Sequence, residues 1–287
     1  MDFGLIPVNV GSARPESIVA LSQKAEEVGL ESLWTFEHAI VPVDYASKYP
    51  YSADGKMGVT PETPFVDPLI ALSLVAGHTT KIRLGTGVNI LPQVSPLLLA
   101  KQAASLDVIS GGRFMLGVGI GWLREEFDAM GVPFEKRGAR FDDYIEAMRK
   151  IWSGEVVEHQ GEFVTWSGFK SHPLPTQDPF PVVIGGTKGK AFARVAKYGQ
   201  GWFSPTPSVE HLSADLQKMA DACAEVGRDP AEIEVTCMWT PQMGLDSVKA
   251  FGDLGVSRLV VPLFAFGTGN PIHALDKFGD EVIAALS

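Results

Sequence analysis

The chain has 287 residues, of which 45% are hydrophobic, and its 34 acidic and 24 basic residues give a formal net charge of −10 at pH 7. This acidic balance argues against nucleic acid or an anionic membrane surface as the main partner. The two cysteines predict no disulfide framework, and the opening MDFGLIPVNV has neither a signal peptide nor a membrane span, so we expect a cytoplasmic protein.

Apolar strand-like segments alternate with helical patterns along the chain. The alternation is clearest from Leu84 to Trp122, where two strands flank a helix that begins at Pro96, as in a βαβ unit with parallel strands. Eight strands are predicted, at 3–8, 32–36, 82–88, 114–120, 180–184, 201–203, 233–238 and 258–262. Helices are predicted at 15–28, 67–78, 96–109, 122–130, 137–152, 188–198, 209–226, 244–251 and 272–286.

Two segments interrupt this alternation. Residues 40–65 are rich in Pro, Gly and Tyr and lack periodicity, which indicates a lid or binding loop, and residues 155–166 resemble a hairpin around Gly161. Length alone is compatible with one or two domains, but eight β/α pairs without a break in composition favour one. We therefore predict an α/β fold, a single (β/α)8 TIM barrel over residues 1–287, with insertions after strand 2 and between strands 4 and 5.

In such a barrel the active site lies at the carboxyl ends of the strands, and here those ends carry few titratable groups. This favours a large flat cofactor that supplies its own reactivity. His38 is the strongest candidate for proton transfer because imidazole titrates near neutral pH, with a structural histidine as the alternative. Glu37 could orient His38 or pair with a helix cation, and we favour a structural role. The other histidines have no metal-ligand spacing, so no metal is expected.

Gly185, Gly186 and Thr187 precede a predicted helix. Backbone N–H groups at a helix amino terminus bind phosphate, and Lys188 and Lys190 would add positive charge. A tight turn between a strand and a helix explains the same residues equally well.

Four segments resemble the luciferase-like monooxygenase superfamily. They are AEEVGLESLWTFEH at 25–38, PVVIGGTKGKAFARVAKYGQGWF at 181–203, and the whole of 82–122 and 124–152, so the match covers most of the chain. The sequence is most similar to the actinobacterial branch of F420-dependent oxidoreductases, whose members are barrels that bind a deazaflavin or FMN. The resemblance implies coenzyme F420 as the cofactor, FMN as its alternative, and a homodimer.

The resemblance also implies roles for residues at the strand ends. It places a cis peptide bond between Gly87 and Val88, in a bulge behind the cofactor ring, and His38 near the reactive face of that ring. It assigns residues 185–187 to the cofactor phosphate, which favours the phosphate loop over the tight turn. In the sugar-phosphate dehydrogenases of this family a glutamate follows the glycine run of the fourth strand, whereas this chain has Trp122 there, which argues against that activity.

The predicted site thus contains one catalytic residue, His38, and a larger set that binds the cofactor. The predicted cofactor-binding residues are Asn9, His38, Gly87, Val88, Asn89, Gly119, Gly121, Trp122, Gly185, Gly186 and Thr187. Four further family-typical residues lie on helices or at a strand start and are interpreted as structural: Asp107, Arg113, Arg137 and Arg140.

We therefore expect an oxidoreductase that transfers a hydride between F420 and a small organic substrate, with His38 assisting proton transfer. An FMN-dependent monooxygenase using molecular oxygen is the first alternative, and a non-catalytic flavin-binding module is the second. Substrate specificity is expected to depend on the loop 40–65, with Tyr45, Tyr49 and Tyr51, and on the hairpin near Trp166.

Overall fold

Eight parallel strands form the centre of the protein in a computed structural model that describes residues 1–205 and 207–286. They are β1 Asp2–Ile6, β2 Ser32–Thr35, β3 Arg83–Thr86, β4 Phe114–Gly119, β5 Val182–Gly185, β6 Gly201–Ser204, β7 Glu234–Met238 and β8 Arg258–Pro262. Each strand pairs with the next, and β8 pairs with β1 from Asp2–Arg258 to Ile6–Pro262. The sheet is closed, so the predicted (β/α)8 barrel is confirmed.

Helices follow the strands and cover the outside of the barrel. They are Pro15–Glu27, Pro68–Ala76, Pro96–Ile109, Arg124–Ala129, Arg137–Ile151, Ala191–Tyr198, Val209–Glu225, Leu245–Asp253 and Pro271–Phe278. Several begin at a proline, whose missing N–H has no intrahelical partner at that position anyway. The Asp67 side chain caps its helix by accepting from the backbone N–H groups of Leu69 and Ile70. None of the helices in the described residues is both long and apolar enough to cross a membrane.

One helix prediction is wrong in its start, and another misses a change of helix type. The helix after β5 begins at Ala191 rather than at 188, because Gly189 has a φ of 61°, in the left-handed region that a helix cannot include. The predicted final helix at 272–286 is helical throughout, but a π-helical turn at Gly279–Ile283 lies between the α-helical segments Pro271–Phe278 and Ala284–Leu286.

The predicted hairpin is present between β4 and β5. Strands Val157–Gln160 and Thr165–Phe169 pair antiparallel, and the N–H of Gly161 donates to the carbonyl of Val164 at 2.9 Å. The Asp143 carboxylate on helix Arg137–Ile151 accepts from the N–H groups of Phe163 and Val164, and these two bonds fix the hairpin to the barrel.

The barrel interior is filled with side chains. Trp34 lies across it, with its ring centroid 5.2 Å from that of Phe203. A Cβ atom on Gly85 would lie 2.4 Å from Trp34 Cε3, so glycine there makes room for the indole. A packed interior leaves the carboxyl ends of the strands as the place where a ligand can bind.

Candidate active site

The ends of three neighbouring strands meet around Val88. The Gly87–Val88 peptide bond is cis, as the resemblance implied, and residues 87–90 form what we call the Val88 bulge, in which Asn89–Ile90 pairs with the end of β4. A Cβ on Gly119 would lie 2.7 Å from Val88 Cγ2, and one on Gly185 would lie 2.9 Å from Val88 Cγ1. Both glycines are therefore needed to accommodate the Val88 side chain.

His38 follows β2 and lies between aromatic rings. Its side chain is 12% exposed, and its Nδ1 is 3.1 Å from Oε2 of Glu126, whose side chain is 2% exposed. The ring meets those of Phe65 and Trp122 edge-on, at centroid distances of 5.6 and 6.1 Å. The geometry thus fixes the orientation of the predicted catalytic histidine.

Glu126, which the sequence analysis did not identify, lies on helix Arg124–Ala129. Its Oε1 accepts from the backbone N–H groups of Ala39 at 2.6 Å and Ile40 at 3.3 Å, and Oε2 accepts from Gln93 Nε2 at 3.4 Å. A signal was present in the sequence, because Leu123, Glu126 and Phe127 share the helical spacing of a buried face. A carboxylate on such a face needs partners, and here they surround His38.

Glu37 occupies neither of the two places considered for it, beside His38 or beside a helix cation. Its Oε1 accepts from Asn89 Nδ2 at 2.6 Å, and its Oε2 accepts from the N–H of Ile90. Burial raises the pKa of Glu37 to about 7; the bonds from Ile90 and Asn89 act to lower it, and the charges of Glu126 and Asp67 act to raise it. Glu37 therefore fixes the Val88 bulge to the end of β2, a structural role.

Asn9 connects three segments below the mouth of the barrel. Its Nδ2 donates to the carbonyls of Phe36 at 2.8 Å and Val66 at 2.7 Å, and its Oδ1 accepts from the N–H of Phe36 at 3.0 Å. The side chain is fully buried. Asn9 therefore determines where both ends of the loop 40–65 emerge from the barrel.

The tyrosines of the loop 40–65 pack around Trp122, Tyr45 and Tyr49 directly and Tyr51 through Tyr49. The indole ring lies 5.9 Å from Tyr45 and 5.2 Å from Tyr49, and Tyr49 lies 5.4 Å from Tyr51; these four residues are called the aromatic cluster. Trp166, by contrast, packs on Phe169 within the hairpin, at 6.0 Å. The loop rather than Trp166 thus supplies the aromatic rings next to His38.

Glu125 anchors the same loop from the adjacent helix. Its Oε1 accepts from the N–H groups of Ala46 at 2.7 Å and Ser47 at 3.1 Å. Burial acts to raise the pKa of Glu125, but the hydrogen bonds from Ser47 and Ala46 outweigh it and the pKa falls to about 2. The helix that carries Glu126 therefore also positions the middle of the loop.

The predicted phosphate loop follows β5. Gly186 has a φ of 106°, and its carbonyl accepts from Trp202 Nε1 at 2.9 Å. Thr187 is partly buried and lies four residues before the helix that begins at Ala191. The structure therefore places this loop beside the mouth but separates Thr187 from the helix amino terminus.

Arg137, interpreted as structural from the sequence, lies at the end of neighbouring β4. Its Nε donates to the carbonyl of Gly121 at 3.1 Å, and its guanidinium lies 3.8 Å from the centroid of Phe134. Arg124 lies 4.3 Å from the same ring. Burial lowers the pKa of Arg137, and the charge of Arg124 lowers it further. Two cations are thus held together near the mouth of an acidic protein.

Comparison with known proteins shows which family the chain belongs to. The family model described as luciferase-like monooxygenase matches residues 3–253. An uncharacterised protein of Mycobacterium tuberculosis is 33% identical over 277 residues, covering 93% of this chain and 95% of that protein. The F420-dependent hydroxymycolic acid dehydrogenase of the same species is 27% identical over 224 residues, covering 77% of this chain and 57% of that protein.

A flavin-dependent relative and a solved structure extend the comparison. The oxygenase component of the flavin-dependent trigonelline monooxygenase of Acinetobacter baylyi is 29% identical over 170 residues, covering 58% of this chain and 42% of that protein. The coenzyme F420 dependent tetrahydromethanopterin reductase from Methanopyrus kandleri superposes with a TM-score of 0.79 at 18% identity, covering 100% of this chain and 99% of that chain. That structure shares the fold.

Proposed function

We propose, because the chain belongs to the luciferase-like monooxygenase family, that it is an F420-dependent oxidoreductase that transfers a hydride between the deazaflavin and a small organic substrate. The observation that carries the proposal is the position of His38 after β2, with its Nδ1 3.1 Å from Oε2 of Glu126. When bound, F420 would supply the ring carbon that gives or accepts the hydride. The protein would supply binding, orientation and proton transfer.

The residues present fit a flat ring that carries an anionic tail. Val88 offers an apolar surface, and Asn89 Oδ1 is buried beside it without a hydrogen-bond partner among residues 1–205 and 207–286, so a ligand donor would satisfy it. Arg137 and the loop from Gly186 to Lys188 follow neighbouring strands and would bind phosphate or carboxylate oxygens.

The side chains around His38 suggest how the protein would use it. His38 would hold a proton for the substrate or accept one from it, since imidazole can do both near neutral pH. The aromatic cluster would cover the mouth, exclude water and contact the substrate. We also propose that the protein acts in the cytoplasm.

An FMN-dependent monooxygenase is the second candidate. The similarity to the oxygenase component of the trigonelline enzyme supports it, and the same cleft would receive either ring. A binding module without catalysis would use the same residues but would not need His38. His38→Ala separates this possibility from an enzyme, because it should abolish turnover and preserve cofactor affinity if His38 transfers a proton.

Equilibrium titration of the purified protein with F420 and with FMN tests the choice of cofactor. We expect micromolar binding of F420 and weaker binding of FMN. Arg137→Gln should weaken F420 binding roughly tenfold, because it removes a charged hydrogen-bond donor, and should leave binding of the tail-free deazaflavin riboside unchanged. Arg124→Gln, which removes the second cation beside Phe134, is the matched control. Micromolar affinity for FMN without binding of F420 would contradict the proposal.

We further propose that the protein is a homodimer that associates through helices Pro68–Ala76 and Pro96–Ile109. These adjacent helices expose Ile70 by 67%, Leu98 by 56% and Ile109 by 63%. We take these side chains as parts of one apolar patch, because contiguous exposed apolar patches mark protein interfaces. Sedimentation equilibrium should show a dimer that Leu98→Lys dissociates, whereas Val226→Lys, which changes an exposed valine directly after helix Val209–Glu225, should not. A monomeric wild-type protein would exclude this interface.

A further inference from the structure

The contact between His38 and Glu126 bears on which ring nitrogen of His38 carries the proton. A neutral imidazole carries its proton on either Nδ1 or Nε2, and the partner of one nitrogen determines which. The contact between Nδ1 and Glu126 Oε2 at 3.1 Å is the hydrogen bond found for this ring among the described residues. Whether Nδ1 carries the proton therefore depends on whether Glu126 accepts or donates in this contact.

As a carboxylate, Glu126 offers only hydrogen-bond acceptors. Its two oxygens already accept from three N–H groups, those of Ala39 at 2.6 Å, Ile40 at 3.3 Å and the Gln93 amide at 3.4 Å. A carboxylate has no proton of its own to donate, so the contact with His38 requires Nδ1 to be the donor. Nε2 is then the nitrogen with the lone pair.

The same carboxylate also restrains the backbone that carries the ring. Ala39 and Ile40 directly follow His38, so Glu126 fixes the chain on one side of the ring while it binds Nδ1. Phe65 and Trp122 meet the ring at interplanar angles of 89° and 84°. A ring enclosed in this way has little freedom to turn over and exchange its two nitrogens.

We propose that Glu126 is a positioning residue that keeps the proton of His38 on Nδ1 and so reserves Nε2 for exchanging a proton with the substrate. The tautomer is a property of the protein alone, while the role of Nε2 in the reaction rests on the proposed function. Glu126 acts through His38 and is not itself a catalytic residue.

The tautomer can be measured directly on the protein without cofactor. Histidine labelled with ¹⁵N gives separate long-range ¹H–¹⁵N correlations for protonated and unprotonated ring nitrogens, and a His38→Gln spectrum assigns the signals. In a buffer of about pH 8.5, where imidazoles are neutral, the wild-type protein should show Nδ1 protonated and Nε2 unprotonated.

Glu126→Gln should reverse this pattern. The glutamine oxygen can still accept from Ala39 and Ile40, while its amide would donate to Nδ1 and drive the proton to Nε2. Hydrogen exchange of the Ala39 and Ile40 amides checks that the backbone contact survives. Glu125→Gln is the matched control, because Glu125 anchors the same loop from the adjacent position and does not contact His38.

The outcomes are distinct. The proposal is supported if Nδ1 carries the proton in the wild type and in Glu125→Gln, and Nε2 carries it in Glu126→Gln. A wild-type ring protonated on Nε2, or an unchanged tautomer in Glu126→Gln, overturns it, and the wild-type measurement decides even if the variant fails to fold. Because no cofactor is present, failure to bind F420 or FMN would refute the proposed function without affecting this result.

Discussion

Two glutamates near the mouth show how partners determine the role of a carboxylate. Glu126 lies among N–H donors and beside His38, whereas Glu37 faces Asn89 and Ile90 and lies near the charges of Glu126 and Asp67. Burial raises the pKa of Glu37 to about 7, so this group changes its charge within the physiological range. The stability of the fold should depend on that titration.

Glu37→Gln should therefore remove part of the pH dependence of stability. The pKa of Glu37 is raised in the folded state, to about 7 from an ordinary value of 4.5, so its contribution to stability is complete below about pH 4.5 and is lost as the pH rises through 7. This loss amounts to as much as about 3 kcal/mol. Glutamine cannot ionise, and its amide could bind Ile90 and a turned Asn89.

Urea unfolding at pH 5 and pH 8 provides the measurement. The free energy of unfolding of Glu37→Gln, relative to wild type, should rise from pH 5 to pH 8. Glu62→Gln, a change at an exposed position of the loop 40–65, should track the wild type at both values. A constant difference between Glu37→Gln and wild type would show that Glu37 does not titrate in this range.

The sequence identified His38 but not Glu126, and the reason is physical. Local apolar patterning shows where a strand ends, and in a (β/α)8 barrel the residues after the carboxyl end of a strand are expected at the active site. The partner of His38 lies 88 residues away on a short helix, and only the folded barrel brings them together. For Arg137 likewise, its position on a helix gave no indication that its guanidinium reaches the carbonyl of Gly121.

At the level of elements, glycines at the ends of β4 and β5 determine the shape of the site. Gly119 and Gly185 leave space for Val88, and a Cβ on Gly117 would lie 1.7 Å from the carbonyl oxygen of Thr86. The glycine run in β4 thus allows β3 and its bulge to approach closely. Gly119 is predicted from the sequence to bind the cofactor, and its packing against Val88 was not predicted.

Gly119→Ala should destabilise the protein by about 1 to 3 kcal/mol, because the new methyl group would overlap Val88 Cγ2. Val88→Ala removes the overlapping atom, so the double variant Gly119→Ala, Val88→Ala should lose less stability than the two single variants added together. Urea unfolding of the four proteins measures this coupling, expected to be at least about 1 kcal/mol. Gly58→Ala, which would meet no atom within 4 Å, is the control. Additive losses would mean that Val88 does not pack against Gly119.

Prediction of the elements succeeded where local patterning determines structure. All eight barrel strands were found, since buried apolar runs bounded by glycine are a local feature. The start of the helix after β5 was placed too early because a Lys-Gly-Lys sequence does not reveal that Gly189 adopts a left-handed conformation. The contact of the loop 40–65 with Trp122 was also not predictable, because it depends on Glu125 from another element.

At the level of the whole molecule, an ion cluster closes the end of the barrel opposite the candidate site. Arg258, 2% exposed, donates from Nε and Nη2 to the two carboxylate oxygens of Glu31 at 2.6 and 2.8 Å, and it lies 5.7 Å from the Trp34 ring. Arg83 adds contacts to Glu31 at 3.6 Å and to Glu234 at 3.5 Å. Glu31 and Arg258 are 227 residues apart, so this cluster links early and late strands and could not be predicted from the sequence.

Acid should weaken the fold through this cluster. Burial acts to raise the pKa of Glu31, but the hydrogen bonds and charge of Arg258 outweigh it, and the pKa is lowered from its ordinary 4.5. A lowered pKa in the folded state means that the stabilisation is present above about pH 4.5 and is lost as the pH falls through the folded value.

Glu31→Gln should accordingly be less stable than wild type by about 3 kcal/mol at pH 7, because Arg258 would be left buried without its main counter-charge. The difference should shrink when the pH is lowered to about 3, because the wild type loses this stabilisation as the pH falls below the ordinary pKa of 4.5 towards the lowered folded value. Urea unfolding at both pH values measures it. Glu135→Gln, which removes an exposed partner of Arg124, should remain close to wild type throughout. If the Glu31→Gln difference were the same at pH 7 and at pH 3, the pair with Arg258 would not be what stabilises this end of the barrel against acid.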